Sequence, residues 1–181
     1  MMTESALPGF EVLGESAHLM LVQRDGWSFV KRQNNVDVVA IVAVTADRKL
    51  ILVEQYRPPV NANVIELPAG LVGDEQDPDE ALQQAAEREL LEETGYSANT
   101  WIELANVTSS AGLTDETVTI FRATELTRVT QGGGVDNEQI TVHEIPLESA
   151  DDWLNSRSKL GNLIDGRVYA ALFWAASKLG Q

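Results

Sequence analysis

Glu89, Glu92 and Glu93 are the residues of this chain whose types and spacing could do chemistry. They lie in the run Arg88-Glu89-Leu90-Leu91-Glu92-Glu93-Thr94-Gly95-Tyr96. At about 100° per residue, Glu89 and Glu93 fall in line with the apolar stripe Leu82, Ala85, Ala86 and Leu90, and Glu92 falls at its edge. Like charges four apart on a helix repel by roughly a few tenths of a kcal/mol. Carboxylates on the packed side of a helix are costly unless a cation or hydrogen bonds compensate. A hard divalent cation such as Mg²⁺ suits, because it takes oxygen ligands and leaves part of its shell to water and phosphate. The alternative is a solvated acidic face on which Arg88 and Glu92 form an ordinary helical pair.

The element that must carry these carboxylates is punctuated in the sequence. Asp77 suits an N-cap, Pro78 the first helical position, and Glu80 the third, which would complete a capping box. Gly95 is placed to stop the helix in the left-handed conformation. The spacing predicts a helix of about 17 residues, roughly 25 Å long. The acidic loop before it, residues 74–80, is not an EF-hand loop, because it contains Pro78 and lacks the central glycine.

The chain as a whole bounds the reading. Its 181 residues, 44% hydrophobic, suffice for one domain with a small extension. No apolar run is long enough to span a bilayer, and residues 1–13 carry no secretory signal pattern. The absence of cysteine fits a reducing compartment, so a cytoplasmic location is expected. A net charge of −15 excludes general nucleic-acid binding, which needs a basic surface.

Strand patterns occupy residues 18–23 and 27–32, joined by the Asp25-Gly26 turn. Others fall at 38–44, 50–56, 64–67, 101–107, 117–123 and 140–145. Helical patterns occupy about 147–156 and 164–179, the last with the stripe Val168, Leu172, Ala175, Leu179. Strands flanked by a few helices indicate an α/β or α+β sandwich. The first hairpin is too small to stand alone and must pack on the main domain, on a second protomer, or on both. Trp101, Trp153 and Trp174 read as core, and His18 and His143 as isolated. The Gly132-Gly133-Gly134 run precedes no helix and so is no phosphate cradle; it reads as a hairpin loop or a mobile support for Glu138.

Arg88 to Tyr96, with Glu80 seven residues earlier, resembles the C-terminal part of the Nudix box, Glu, seven residues, Arg-Glu-U-x-Glu-Glu-x-Gly-U, where U is apolar or aromatic. The leading glycine departs from the pattern: nine residues, not five, separate Gly70 from Glu80. The segments Glu54-Gln55-Tyr56-Arg57-Pro58-Pro59, Glu66-Leu67-Pro68-Ala69-Gly70, Ser110-Ala111-Gly112-Leu113-Thr114-Asp115-Glu116 and Asp165-Gly166-Arg167-Val168-Tyr169 are similar, in order, to the ADP-ribose pyrophosphatase and nucleoside diphosphate sugar hydrolase branch of that superfamily. Ala111 stands where the branch usually has proline.

The resemblance implies an α/β (α+β) Nudix fold: an α/β/α sandwich with a mixed sheet (residues 37–181) and a small N-terminal antiparallel β unit (residues 1–36). It implies Mg²⁺, with Mn²⁺ the alternative, held by Glu89, Glu92, Glu93, the Ala69 carbonyl and Glu138. Either Glu138 or Glu92 would be the base. Arg57, Glu116 and Ser110 would face the substrate. Trp27 would cover the adenine ring, from the partner subunit of a homodimer that exchanges its N-terminal units. Arg88 would hold the box carboxylates in place. The implied reaction is hydrolysis of ADP-ribose to AMP and ribose 5-phosphate. Rival readings are another Nudix substrate, a ligand-sensing Nudix domain without catalysis, and a purely structural acidic domain.

Overall fold

The computed structural model of the protein describes residues 9–33, 36–73, 79–135 and 139–176. At its centre lies β4 (Val38–Ala43), Val-Val-Ala-Ile-Val-Ala, buried along its whole length. A strand covered on both faces needs such a run without polar alternation. β4 pairs antiparallel with β7 (Ala69–Leu71) and parallel with β9 (Thr117–Arg128). β9 in turn forms a long antiparallel pair with β8 (Tyr96–Thr108). A second mixed sheet has the order β10 (Thr141–Pro146), β5 (Lys49–Arg57), β6 (Ala62–Glu66), β11 (Leu163–Ile164), the last pair parallel.

Helices cover both faces. α1 (Leu82–Thr94) packs Ala85, Ala86 and Leu90 against Val39, Ile41 and Phe121. On the other face, α2 (Ala150–Lys159) and α3 (Gly166–Ala176) bring Leu154, Val168 and Ala171 against Val42, Leu52 and Ile120. The expected layering of mixed strands between helices is therefore present. β7 and β11 were not among the expected strands, being too short to show a period. The last helix starts at Gly166 because Leu163 and Ile164 pair with β6; Leu179 lies outside the described residues. Before α2, Leu147–Ser149 forms a 3₁₀ turn. Among the described residues, no helix is long and apolar enough to cross a membrane.

The N-terminal sheet has three strands, β1 (Glu11–Glu15), β2 (Leu19–Arg24) and β3 (Trp27–Arg32). Asp25 and Gly26 both take positive φ, 50° and 82°, as a tight hairpin turn demands. This sheet docks on its own chain. The Val30 amide donates to the Leu113 carbonyl at 2.8 Å, and the pairs Lys31–Asp115 and Arg32–Glu116 each close at 2.7 Å.

The start of α1 differs from the expected one. Ala81 is the N-cap, and its amide donates to the Gln84 side chain at 3.0 Å. Asp77 and Pro78 lie outside the described residues. Glu80 therefore precedes the helix and does not cap it. Its carboxylate accepts the Gly73 amide at 2.8 Å and pairs with Arg88, a charged partner stronger than a free helix amide. The C-terminus is as expected: Gly95 has φ 76° and donates to the Leu91 carbonyl.

The triple glycine has a role the sequence did not show. Gly132, Gly133 and Gly134 all take positive φ. The Gly133 amide donates to the Glu93 carbonyl at 2.9 Å, and the Gly134 amide to the Glu92 carbonyl at 3.1 Å. The run is a strap that satisfies carbonyls a helix end leaves open. It lies so close that a Cβ on Gly132 would come within 2.3 Å of the Thr94 carbonyl carbon.

On β5, the buried Glu54 carboxylate gathers four segments. Asn63 and Asn162 donate to Oε1 at 3.1 and 2.7 Å, while His143 (2.9 Å) and Arg157 meet Oε2. His143 also lies against the Trp153 ring, so it is part of a network and not isolated. Trp101 meets Phe121 edge-on, and all three tryptophans expected in the core are half-buried against it.

Gly132→Ala should destabilise the protein by at least about 1 kcal/mol from the left-handed backbone alone, with the clash adding to it. Urea unfolding measures the loss, and Gly112→Ala, whose Cβ meets nothing within 4 Å, is the control.

Candidate active site

α1 turns its carboxylates inward. Glu89 and Glu93 are 8% and 3% exposed, alongside Leu90 at 0%. A buried carboxylate requires a partner, and Arg88 is one for Glu89. Its guanidinium donates to Glu80 Oε1 (3.0 Å), Glu89 Oε1 (2.8 Å), Glu92 Oε2 (3.2 Å) and the Leu71 carbonyl (2.9 Å). The hydrogen bonds it donates to Glu80 do most to raise the Arg88 pKa. Reciprocally, the Arg88 hydrogen bonds hold the Glu80 carboxyl below the usual carboxylate range. Glu93 Oε2 accepts the Ala69 amide at 3.0 Å, which fixes β7 to the helix.

Ala69, Leu71, Arg88, Glu89, Glu92 and Glu93 line a cleft of ≈ 610 Å³. Arg32, Arg57 and Arg167 line it too, and each is held by an acid. Arg32 pairs with Glu116 at 2.7 Å, Arg57 with Glu66 at 2.8 Å, and Arg167 with Asp165 at 2.6 Å. Burial pushes the Glu116 and Asp165 carboxyls up, but the hydrogen bonds from Ser109 and Arg32, and from Arg167, outweigh it and leave both lowered. The cleft thus sets a carboxylate helix and oriented guanidiniums around one space.

The structure brings together Ala69, Glu89, Glu92, Glu93, Arg57 and Glu116 of the expected residues. Ser110 is exposed and is not part of the cleft lining; its carbonyl accepts the Leu113 and Thr114 amides. The neighbouring Ser109 donates to Glu116 instead, at 2.6 Å. Trp27 is 67% exposed and does not line its own chain's cleft. Glu138 lies outside the described residues. Sequence reasoning assigned no role to Glu66, Arg32 or Arg167. Glu66 and Arg167 sat inside segments already singled out, but Arg32 carried no local signal, since only the docking of β3 brings it near.

Does the donor set fit a divalent cation? The available atoms are carboxylate and carbonyl oxygens, the ligands a hard cation takes. Among the described residues, no three acidic or histidine side chains are already closed on a common ion position, and Glu89 and Glu92 are turned to Arg88. The space is nonetheless kept clear for Glu89: a Cβ on Gly70 would lie 1.9 Å from Glu89 Oε1. Glu89, Glu92, Glu93 and the Ala69 carbonyl therefore suit the group.

Glu80 contributes stability above about pH 4.5, and this is lost as pH falls through its depressed folded value. Glu80→Gln should therefore flatten the acid limb of the stability–pH curve, measured by urea unfolding between about pH 3 and 6. Arg88→Ala, which removes the guanidinium that Glu80, Glu89 and Glu92 share, should cost about 3 kcal/mol at neutral pH.

Residues 34–164 match the NUDIX domain family. An ADP-ribose pyrophosphatase of Bacillus subtilis is 36% identical over 120 residues, 66% of this chain and 63% of that protein. A GDP-mannose pyrophosphatase of an Enterobacter species is 33% identical over 133 residues, 69% of this chain and 65% of that protein. The matches thus span less than two thirds of the length of these curated relatives. A solved structure of an ADP compounds hydrolase superposes with a TM-score of 0.68 at 23% identity, covering 96% of this chain and 92% of that one, so the fold is shared. With that family match over most of its length, and Arg88 to Glu93 of the signature on an inward-facing helix, this chain belongs to the Nudix family.

Proposed function

We propose that the protein hydrolyses the pyrophosphate bond of ADP-ribose, or of a related nucleoside diphosphate sugar, with Mg²⁺ or Mn²⁺. AMP and ribose 5-phosphate are the products from ADP-ribose. One observation carries the reading: Glu89 and Glu93 point into a cleft whose other lining includes Arg32, Arg57 and Arg167. An acidic helix alone would repel a diphosphate, and the arginines alone would bind it without reaction. Together they suit a cation-assisted displacement at phosphorus.

Ions held by Glu89, Glu92, Glu93 and the Ala69 carbonyl would supply Lewis acidity and a water of lowered pKa. Arg88 holds Glu89 and Glu92 in place through charge-assisted contacts. Arg57 and Arg32 bind the anionic oxygens of the diphosphate. Glu92, or Glu138, takes the proton of the attacking water; the water oxygen bonds to phosphorus as the bridging P–O bond breaks. Residues 37–181 form the catalytic unit in this reading. Residues 1–36 contribute Arg32 to the cleft and offer the exposed Trp27 to a partner protomer, where stacking on the base is worth roughly 1–3 kcal/mol. A cytoplasmic setting accords with a chain that contains no cysteine.

ADP-ribose with Mg²⁺ should yield AMP and ribose 5-phosphate by chromatography, and nothing in EDTA. Glu93→Gln should lower kcat by roughly 100-fold or more, as loss of a charge-stabilising group does. Of Glu92→Gln and Glu138→Gln, the variant that keeps its turnover is not the base. GDP-mannose cleaved faster than ADP-ribose would reassign the substrate within the same chemistry. A chain that binds these compounds but cleaves none is a sensor and not an enzyme.

A further inference from the structure

β3 is an edge strand of the N-terminal sheet, and the segment from Leu113 to Glu116 runs along its open edge. Val30 and Thr114 form a parallel bridge there, and the Val30 amide donates to the Leu113 carbonyl at 2.8 Å. Two ion pairs follow in step: Lys31 Nζ with Asp115 Oδ2 and Arg32 Nε with Glu116 Oε2, each at 2.7 Å. Neighbouring side chains on a strand point to opposite faces. Lys31 is on the face it shares with the buried Met20, and Arg32 on the face it shares with the exposed Leu19. The segment therefore holds β3 from both faces at once.

The two pairs differ in what they reach. Arg32 and Glu116 line the cleft, whereas Lys31 and Asp115 do not. All four line a small hollow of ≈ 120 Å³ that meets the cleft at Arg32 and Glu116. The Lys31 side chain is 16% exposed, and its ammonium also lies 5.8 Å from the centre of the Phe10 ring. An ammonium held this way opposes rotation of β3 about its own axis. A guanidinium carries five N–H donors, and Nε of Arg32 gives one to Glu116. The direction of the others depends on the twist of the strand that carries them. An ion pair on one face alone would act as a pivot, and a pair on each face acts as a clamp.

We propose that Lys31 and Asp115 are positioning residues for diphosphate recognition: their ion pair fixes the twist of β3 and so aims Arg32 into the cleft. The proposal rests on the reading above in which Arg32 binds the diphosphate. The test reverses each charge in the full chain, Lys31→Glu and Asp115→Lys, singly and together. Calorimetry gives Kd for α,β-methylene-ADP with Mg²⁺, a probe whose diphosphate bridge cannot be hydrolysed, and product chromatography gives KM and kcat for ADP-ribose. Each single reversal should raise Kd and KM by about fivefold or more and leave kcat within about twofold, and the double reversal should return both to within about twofold of the parent. In an Arg32→Ala background the reversals should move Kd by less than about twofold, because they act through that guanidinium. Simple attraction of the anion predicts opposite signs instead, weaker binding in Lys31→Glu and tighter binding in Asp115→Lys. Those opposite signs, unchanged affinities, a double reversal as weak as the singles, or an equal loss without Arg32 each overturns the proposal, as does a parent that binds no α,β-methylene-ADP. Lys31→Met and Asp115→Asn replace the reversals if thermal melting shows that a reversal prevents folding; their losses should not add in the double variant, and additive losses overturn the pairing. A parent that binds the probe but turns over no ADP-ribose removes the activity proposed above and leaves the Kd comparison to decide the pair.

Discussion

The arrangement of the whole cleft depends on one guanidinium. Arg88 reaches Glu80 before the helix, Glu89 and Glu92 along it, and the Leu71 carbonyl on the neighbouring strand. A row of inward carboxylates on an amphipathic helix would otherwise be driven outward by desolvation and mutual repulsion. The arginine fork can satisfy several planar acceptors at once, which an ammonium cannot. It thereby sets the helix rotation, the base of the preceding loop and the position of β7 together.

Polarity is then divided across the cleft. Each lining arginine besides Arg88 is leashed to an acid from a different part of the chain: Glu66 from β6, Glu116 from the turn before β9, Asp165 ahead of α3. A leashed guanidinium loses less side-chain entropy on meeting an anion, because its orientation is set before the ligand arrives. The same acids keep the arginines from collapsing onto Glu89 and Glu93. Both charge types can thus face one space in a protein of strongly negative net charge.

Much of this was legible in the sequence, and the gaps have physical causes. The buried stripe of α1 followed from a 3.6-residue period, and its end from Gly95. Its start did not, because Glu80 had two possible partners: a helix amide three residues back in the pattern, or an arginine eight residues on. Local pattern favoured the first, and the stronger charged contact won. β7 and β11 escaped notice because two or three residues carry no period. Arg57 was found from its motif, yet Arg32 was not, since its place in the cleft comes from a tertiary docking between β3 and the segment around Asp115. The glycine run looked like slack chain. Its hydrogen bonds to the Glu92 and Glu93 carbonyls make it a close-fitting brace, a distinction visible only once both segments are in space.

The Glu54 carboxylate bears on how the chain is made. Its donors come from residues 63, 143, 157 and 162, the farthest 108 positions away in sequence. A nascent polypeptide that has emerged from the ribosome only as far as β9 would hold that anion in a drying interior with Asn63 as its one donor from this set. The cost of burying it with so few donors disfavours closure around Glu54 until residues 143–162 arrive. Emergence of Asn162, the last of these donors in sequence, is then the step that completes the shell around the anion.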